Sequence, residues 1–303
     1  MQKHFFSRGK LLLTSEYLVL DGALALAVPT KRGQFLSYKD ERSSCEVIFW
    51  KAYCQEEKWL EAQIDFTSWT VMKTNDPPSA RFVLQILKNV HTLSGARYFR
   101  RGFSYFFSTR LEFPRNYGWG SSSTLINNLS LCFGVDPFML NEISLGGSAY
   151  DIAVAQSQSS ILYRLKSRER EIKKVRFSPE FSSELLLVHL ARKQDSREGI
   201  RLYRSRPPSL FLLEEMSAIT QKVLHTSDIN TFSDLMMHHE NLLSSFLKIP
   251  SVGEKFFSGI PVFVKSLGAW GGDFVLTRKF EGCEKWFSER GFSSVLAWDD
   301  VVY

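Results

Sequence analysis

The sequence contains few cysteines, and their pattern is not that of a metal site or a disulfide framework. Its 303 residues include four cysteines, and these show no C-x-x-C spacing and no zinc-binding pattern. Neither a structural metal nor a set of disulfides is therefore predicted, and a reducing compartment is expected. The four are Cys45, Cys54, Cys132 and Cys283.

Long apolar runs are also missing. No stretch reaches the ~18 apolar residues that a membrane-spanning helix needs. Near the N-terminus, residues 11–13 and 18–20 are apolar, but Thr14, Ser15 and Glu16 separate them and interrupt a signal-peptide core. We therefore expect a cytoplasmic protein with no membrane partner.

The composition is that of an ordinary folded chain. Hydrophobic residues make up 44% and charged residues 23%, which excludes disorder, collagen-like repeats and coiled coil. A net charge of +6 suits either an anionic small molecule or a solvated basic surface. The aromatic residues around Phe103, Tyr105 and Phe107 have few interleaved cations, so no nucleic-acid partner is predicted.

Hydrophobic periodicity predicts a mixed α+β chain in two lobes, with the division between residues 165 and 180. Strands are predicted near the N-terminus, including 17–20, and a helix over 81–93 follows a Pro77-Pro78 start signal. The remaining predicted helices cover 125–133, 137–143, 210–224, 232–246 and 283–290, and the later strands cover 98–113, 185–190, 262–266, 273–276 and 295–298.

The segment PRNYGWGSSS, residues 114–123, follows a predicted strand and precedes a predicted helix. Glycines let a backbone approach an anion closely, and the amides at a helix start point toward it. Serine hydroxyls can add donors or complete the ligand shell of Mg²⁺. Taken alone, such a turn is more often a plain helix N-cap.

Two further segments help to interpret this turn. SRGKLLLTSEYLVL, residues 7–20, resembles the first motif of the GHMP kinase superfamily, and residues 114–123 then resemble its second motif, the phosphate loop. KSLGAWGGD, residues 265–273, resembles the glycine-rich third motif. The three occur in the family's order and span nearly the whole chain, so the sequence is identified as resembling a GHMP kinase.

Details favour the phosphomevalonate kinase and mevalonate kinase branch, in a compact bacterial form. Glu16-Tyr17 is similar to the phosphomevalonate kinase form of the first motif, and GSAYDIA, residues 147–153, resembles a segment of the same group. The resemblance implies a two-lobed GHMP kinase fold. The N-terminal lobe, residues 1–172, would be like domain 2 of ribosomal protein S5 and would carry the phosphate loop. The C-terminal lobe, residues 173–303, would be ferredoxin-like.

The resemblance also implies ATP and Mg²⁺ as cofactors. Asp151 is implied as the catalytic aspartate and Lys10 as a catalytic cation. Ser122 and Glu142 are the implied metal ligands. The residues expected to bind ATP are those of the phosphate loop, namely Gly118, Gly120, Ser121, Ser122 and Ser123.

The acceptor is predicted to be a small molecule, with mevalonate 5-phosphate favoured because cations are in excess near the predicted site. A phosphomonoester has a second pKa of about 6, so it is already a dianion at neutral pH and needs no base. Arginine matches phosphate oxygens well. The residues expected to bind the acceptor are Arg8, Glu16, Tyr17, Ser148, Lys193, Ser196, Arg197, Gly268 and Asp273.

Three alternatives stay open. The acceptor can instead be a hydroxyl, as in mevalonate kinase or a sugar kinase. Trp270 and Ala149 stand where the family usually has glycine, which favours a non-catalytic relative that binds nucleotide or metabolite. A purely structural partner protein is the third. The chain is expected to be a monomer or a homodimer.

Overall fold

The computed structural model of the protein describes residues 2–166, 169–191, 196–268 and 273–303. Its strands are β1 Lys3–Leu12, β2 Ala25–Arg42, β3 Val47–Cys54, β4 Glu57–Asp65, β5 Thr70–Thr74, β6 Phe103–Leu111, β7 Ile161–Lys166, β8 Glu169–Lys174, β9 Leu185–His189, β10 Val264–Leu267, β11 Phe274–Arg278 and β12 Val295–Ala297. Its helices are α1 Pro77–Leu93, α2 Ser121–Phe133, α3 Pro137–Ser144, α4 Tyr150–Ser157, α5 Ser196–Arg204, α6 Leu210–His225, α7 Ile229–Leu247, α8 Val252–Phe256, α9 Cys283–Glu289 and α10 Trp298–Val301.

The chain forms two compact units, and each is assembled from several stretches. The first unit contains the chain up to Gly9, residues 32–115 and residues 120–158. The second contains residues 10–31, residues 116–119 and the chain from Ser159 onward. The predicted lobes 1–172 and 173–303 are continuous stretches of sequence, whereas each observed unit combines three separate stretches. The predicted lobe boundary therefore stays a prediction.

In the first unit a sheet in the order β5-β4-β3-β6-β2 carries helices α1 to α4. Strand β3 runs parallel to β6, and the other pairs along this order are antiparallel. The core contains large aromatic side chains, among them Trp50, Tyr105, Phe107 and Phe133. Since about 25 cal/mol accompanies each Å² of apolar surface removed from water, this core is the main source of the unit's stability.

The second unit is built on an antiparallel sheet in the order β10-β11-β9-β12. Strand β9 is the uninterrupted apolar run that the sequence predicts, and all five of its residues are buried. Helices α7 and α8 pack on β10, and α6 packs on α7. The start of β2 pairs with β7, which pairs with β8.

One predicted strand is wrong. Residues 17–20 form a turn and a short 3-10 helix, Leu18–Asp21, instead of a strand. Tyr17 has a positive φ of 63°, and Gly22 closes the helix in the left-handed region at φ 95°. A strand cannot contain either conformation, so the chain turns here in spite of its apolar composition.

Candidate functional site

The amino end of α2 lies in the first unit and forms the second half of the predicted phosphate loop. Gly120 is the N-cap residue and has a φ of 85°, which glycine adopts without strain. The Ser123 hydroxyl donates to the Gly120 carbonyl at 2.8 Å, and the Thr124 amide donates to the same carbonyl at 2.9 Å. The amides of the first helical turn have no partner within the helix and carry the positive end of its dipole. Ser121 and Ser122 are half-buried in this turn.

The preceding residues, 116–119, belong to the second unit, and Lys10 is bonded to them. The Lys10 amide donates to the Trp119 carbonyl at 3.0 Å, and its Nζ donates to the Gly118 carbonyl at 2.9 Å. Lys10 is 9% exposed and Trp119 is 1% exposed. Residues of the first and second motifs are thus held together by two hydrogen bonds.

Asp273, the last residue of the third motif, contacts the same loop at Gly118. Gly118, with φ 66°, packs so closely on the Asp273 carboxylate that a Cβ at position 118 would overlap Oδ2. A Cβ at Gly268, with φ 81°, would lie 2.7 Å from the same oxygen. The structure therefore brings Lys10, Gly118, Gly268 and Asp273 together within the second unit. The intervening residues 269–272, which include Trp270, lie outside the described part of the chain.

Asp151 and Ser148 lie at the start of α4 in the first unit, where α4 packs against α2. The Asp151 side chain accepts from the Ile152 amide at 3.0 Å and is half-buried, while Ser148 is 7% exposed. Ala149 is the N-cap residue with φ 61°, a conformation that glycine adopts more easily. Glu142 is exposed on α3.

The predicted acceptor residues are spread over several elements. Arg8 is half-buried in β1, with its guanidinium carbon 5.8 Å from the ring centre of Phe6. Lys193 lies outside the described residues. Ser196 and Arg197 begin helix α5, so the predicted 193–197 loop is in part helical.

Glu16 and Tyr17 are buried inside the second unit. Glu16 is 2% exposed and its carboxylate accepts from Lys265 Nζ at 2.7 Å. Tyr17 stacks on Tyr203 with ring centres 5.9 Å apart, and Gly199 of α5 packs on the Tyr17 hydroxyl. Their predicted contact with the acceptor stays a prediction.

Sequence reasoning missed an aromatic group beside the phosphate loop in the second unit. The Tyr117 ring centre lies 4.7 Å from that of His189 and 4.9 Å from that of Phe274, and its hydroxyl lies 3.1 Å from Ser294 Oγ. Burial lowers the pKa of His189, although hydrogen bonding to Asn116 opposes this. The sequence signal was weak, because His189 simply ends an apolar strand.

A second missed group joins β1, β2 and α2 in the first unit. Ser7 Oγ donates to Asn128 Oδ1 at 2.7 Å and accepts from Asn127 Nδ2 at 2.8 Å, and Asn128 Nδ2 donates to the Gln34 carbonyl at 2.8 Å. Two adjacent asparagines between the apolar residues Ile126 and Leu129 are the signal that could have revealed it. These bonds fix the helix whose amino end faces the predicted phosphate position.

The described residues do not form a complete set of protein ligands for a metal ion. They suit a cation that is coordinated mainly by nucleotide phosphates and water. Within the described ranges, no three His, Cys, Asp or Glu side chains cluster to hold a metal ion. Mg²⁺ in nucleotide sites is usually held by one or two protein oxygens plus substrate phosphates and water. A serine such as Ser122 in the first turn of α2 supplies an oxygen of that kind.

Comparison with known proteins identifies the fold. No family model and no curated protein matches the sequence. Among solved structures, the Methanococcus jannaschii mevalonate kinase has a TM-score of 0.65 at 15% identity, over 98% of this chain and 96% of that one. The Streptococcus pneumoniae phosphomevalonate kinase, in complex with phosphomevalonate and AMPPNP, has a TM-score of 0.67 at 15% identity, over 97% and 99%.

The Lactococcus lactis galactokinase, complexed with galactose, has a TM-score of 0.63 at 12% identity, over 95% of this chain and 88% of that one. These are kinases of the superfamily whose motifs the sequence resembles. The chain has the fold of the GHMP kinases, which confirms the predicted α+β fold class and agrees with the resemblance at the level of the fold. The described residues contain no helix long and apolar enough to cross a bilayer.

Proposed function

We propose that this protein is an ATP-dependent small-molecule kinase that transfers the γ-phosphoryl group of ATP to mevalonate 5-phosphate or a similar acceptor. The observation that carries the proposal is the pair of hydrogen bonds from Lys10 to the carbonyls of Gly118 and Trp119. They place an ammonium group beside a glycine loop that leads directly into a helix start. The shared fold of the GHMP kinases supports the same conclusion.

The amino end of α2 supplies the phosphate-binding part of the proposed site. Its first-turn amides donate hydrogen bonds to phosphate oxygens, and its dipole stabilises their negative charge. Gly118 and Gly120 both have positive φ values, which lets the loop backbone approach the phosphates. ATP binding at this helix start is therefore expected to depend on backbone geometry more than on side chains.

Phosphoryl transfer requires positioning and charge neutralisation more than covalent chemistry. The acceptor oxygen forms a bond to the γ-phosphorus while the bond from that phosphorus to the ADP oxygen breaks. Lys10 neutralises charge on the transferring group. Mg²⁺, when bound with ATP, supplies further charge neutralisation at the phosphates, and Ser122 and Glu142 are the proposed ligands.

The acceptor determines what Asp151 must do. A phosphomonoester dianion attacks without losing a proton, so Asp151 would orient it or its neighbours. A hydroxyl acceptor must lose its proton, which Asp151 could accept as general base. Arg8, two residues before Lys10 in β1, offers a planar guanidinium suited to phosphate oxygens, which favours the phosphorylated acceptor.

The first prediction concerns the acceptor. Pure protein is incubated with Mg-ATP and, in separate reactions, mevalonate 5-phosphate, mevalonate or galactose, and ADP and product mass are measured. We expect ADP release with mevalonate 5-phosphate and a product heavier by one phosphoryl group, because the guanidinium of Arg8, two residues before Lys10, suits an anionic acceptor. Turnover of mevalonate or galactose alone would instead assign a hydroxyl acceptor.

One observation favours a second candidate, a non-catalytic protein that binds nucleotide or metabolite. The Asp273 carboxylate packs on Gly118 of the phosphate loop, and a negative charge there opposes the binding of phosphates. Calorimetry separates the two candidates, since the second predicts binding of ATP without ADP release in the presence of any acceptor.

A further inference from the structure

Four titratable side chains are buried together in the second unit. Glu16 follows β1, His239 and Glu240 lie on α7, and Lys265 lies on β10. Their exposed fractions are 2%, 0%, 3% and 0%. Charges buried this deeply are costly unless they are paired. Two carboxyl groups share one ammonium group here, so full ionisation would leave an uncompensated negative charge.

His239 cannot supply the missing positive charge. The Ser15 amide donates to His239 Nε2 at 2.7 Å, and a backbone amide acts here only as a donor. His239 Nε2 therefore carries a lone pair, and the imidazole is neutral with its proton on Nδ1. Burial lowers the pKa of His239 well below its usual range, and the charges of Lys265 and His238 lower it further.

Glu240 has the surroundings of an ionised carboxylate. Ser266 Oγ donates to Glu240 Oε1 at 2.6 Å, and the Ser266 amide donates to Oε2 at 3.2 Å. Lys265 Nζ lies 3.6 Å from the same Oε2. Each oxygen therefore faces at least one donor, which is the arrangement that stabilises the charged form.

Glu16 has different surroundings at its two oxygens. Oε1 accepts from Lys265 Nζ at 2.7 Å. Oε2 is buried without a hydrogen-bond donor among the described residues and lies 3.5 Å from His239 Nε2. Since that nitrogen carries partial negative charge, it repels an ionised Oε2, and a proton on Oε2 relieves the repulsion.

We infer that Glu16 is a neutral carboxylic acid at neutral pH, with its proton on Oε2, and that it acts as a positioning residue for the first motif. The buried cluster then holds one positive charge, on Lys265, and one negative charge, on Glu240. Its hydrogen bonds fix the segment after β1 against α7 and β10. The part that concerns the first motif rests on the proposed function, but the protonation state does not.

The groups that face Glu16 are consistent with this assignment. They are Lys265 from β10 and His239 and Glu240 from α7, while His238 acts on His239 from the neighbouring position. Burial raises the pKa of Glu16, while Lys265 and the backbone amide of Glu16 itself oppose the rise, and Glu240 adds to it. Loss of the proton at alkaline pH would leave a net negative charge in the cluster.

Infrared spectroscopy of the whole protein tests the protonation state directly. At about pH 7, we expect the carbonyl band of a neutral carboxylic acid, and we expect Glu16→Gln to remove it. Glu281→Gln, which changes an exposed carboxylate, is the matched control and should leave the band in place. Absence of the band from the wild-type protein, or its persistence in Glu16→Gln, would overturn the assignment.

Two further measurements keep the assignment testable should Glu16→Gln fail to fold. A ¹³C label confined to glutamate carboxyl groups should shift the wild-type band, and the same label in aspartate should not. In Glu240→Gln, Glu16 becomes the partner of Lys265 and should ionise, so the band should disappear there too. A carbonyl band whose frequency does not change with the glutamate label, or one that is still present in Glu240→Gln, contradicts the inference.

Thermal unfolding adds a readout that does not depend on activity. A carboxyl whose folded-state pKa is raised contributes stability that is fully present below its ordinary value near 4.5 and is lost as pH rises through the raised value. The wild-type Tm should therefore fall relative to that of Glu16→Gln as pH rises above about 4.5. Parallel pH profiles for the two proteins would refute the raised pKa. Failure of the kinase proposal would change none of these outcomes.

Discussion

Individual residues of the candidate site differ in how far the sequence predicts them. Lys10 and Gly118 could be predicted because they stand in motifs, and the structure shows them bonded to each other. His239 and Glu240 could not be predicted, because adjacent polar residues on a helix are usually solvated. Their burial follows from tertiary contacts with Glu16 and Lys265, which local patterns do not contain.

A glycine substitution tests the close approach at the phosphate loop. Gly118→Ala places a methyl group into the Asp273 carboxylate and also strains a residue at φ 66°. Gly134→Ala is the matched control, since Gly134 has φ 64° with open space around it. We expect the control to lose about 1–2 kcal/mol of unfolding free energy, and Gly118→Ala to lose more and to weaken ATP binding.

Urea unfolding and calorimetric titration with ATP check both expectations. Equal losses of stability in the two variants, with unchanged ATP affinity in both, would show that Asp273 does not constrain Gly118.

At the scale of elements, most helices could be predicted from their periodicity and start signals. Helix α1 begins at Pro77, after the N-cap residue Asp76, and α2 begins after Gly120. Residues 17–20 were predicted wrongly because an apolar run does not reveal the positive φ of Tyr17. Helix α5 was missed because it is short and highly charged, so the segment 193–197 was interpreted as a loop.

The cap of α1 gives a prediction with a defined pH dependence. Asp76 accepts a hydrogen bond from the Ser79 amide, which lowers the pKa of its carboxyl below the ordinary 3.8. Asp76→Ala should cost about 1 kcal/mol of unfolding free energy at neutral pH. A carboxyl with a lowered pKa contributes stability above its ordinary value and loses it as pH falls through the lowered value.

Asp76→Asn is the matched variant, because asparagine also caps helices but does not titrate. Urea unfolding at about pH 7 and about pH 3 should show the deficit of Asp76→Ala relative to wild type shrinking in acid. The difference in unfolding free energy between Asp76→Ala and Asp76→Asn should be the same at both pH values, because neither side chain titrates. A deficit that is the same relative to wild type at both pH values would contradict the assigned cap.

At the scale of the whole molecule, local patterns predict the α+β class but not the topology. The chain passes between the two compact units several times, as residues 10–31 and 116–119 show. Such exchanges depend on contacts between residues far apart in sequence, and periodicity describes only neighbours. The fold was predictable because three motifs resembled those of a known superfamily, and the structural neighbours share that fold.

The central proposal is that the protein catalyses phosphoryl transfer and that Lys10 and Asp151 are each required for it, and steady-state ADP release in the presence of the accepted substrate tests it most directly. The controls are Lys285→Met, whose side chain is 83% exposed, and Asp234→Asn, which changes an exposed aspartate of α7. Circular dichroism verifies that every variant is folded. We predict that Lys10→Met and Asp151→Asn each lower kcat by at least about 10²-fold, while the controls match wild type. Wild-type turnover in both Lys10→Met and Asp151→Asn would contradict the account.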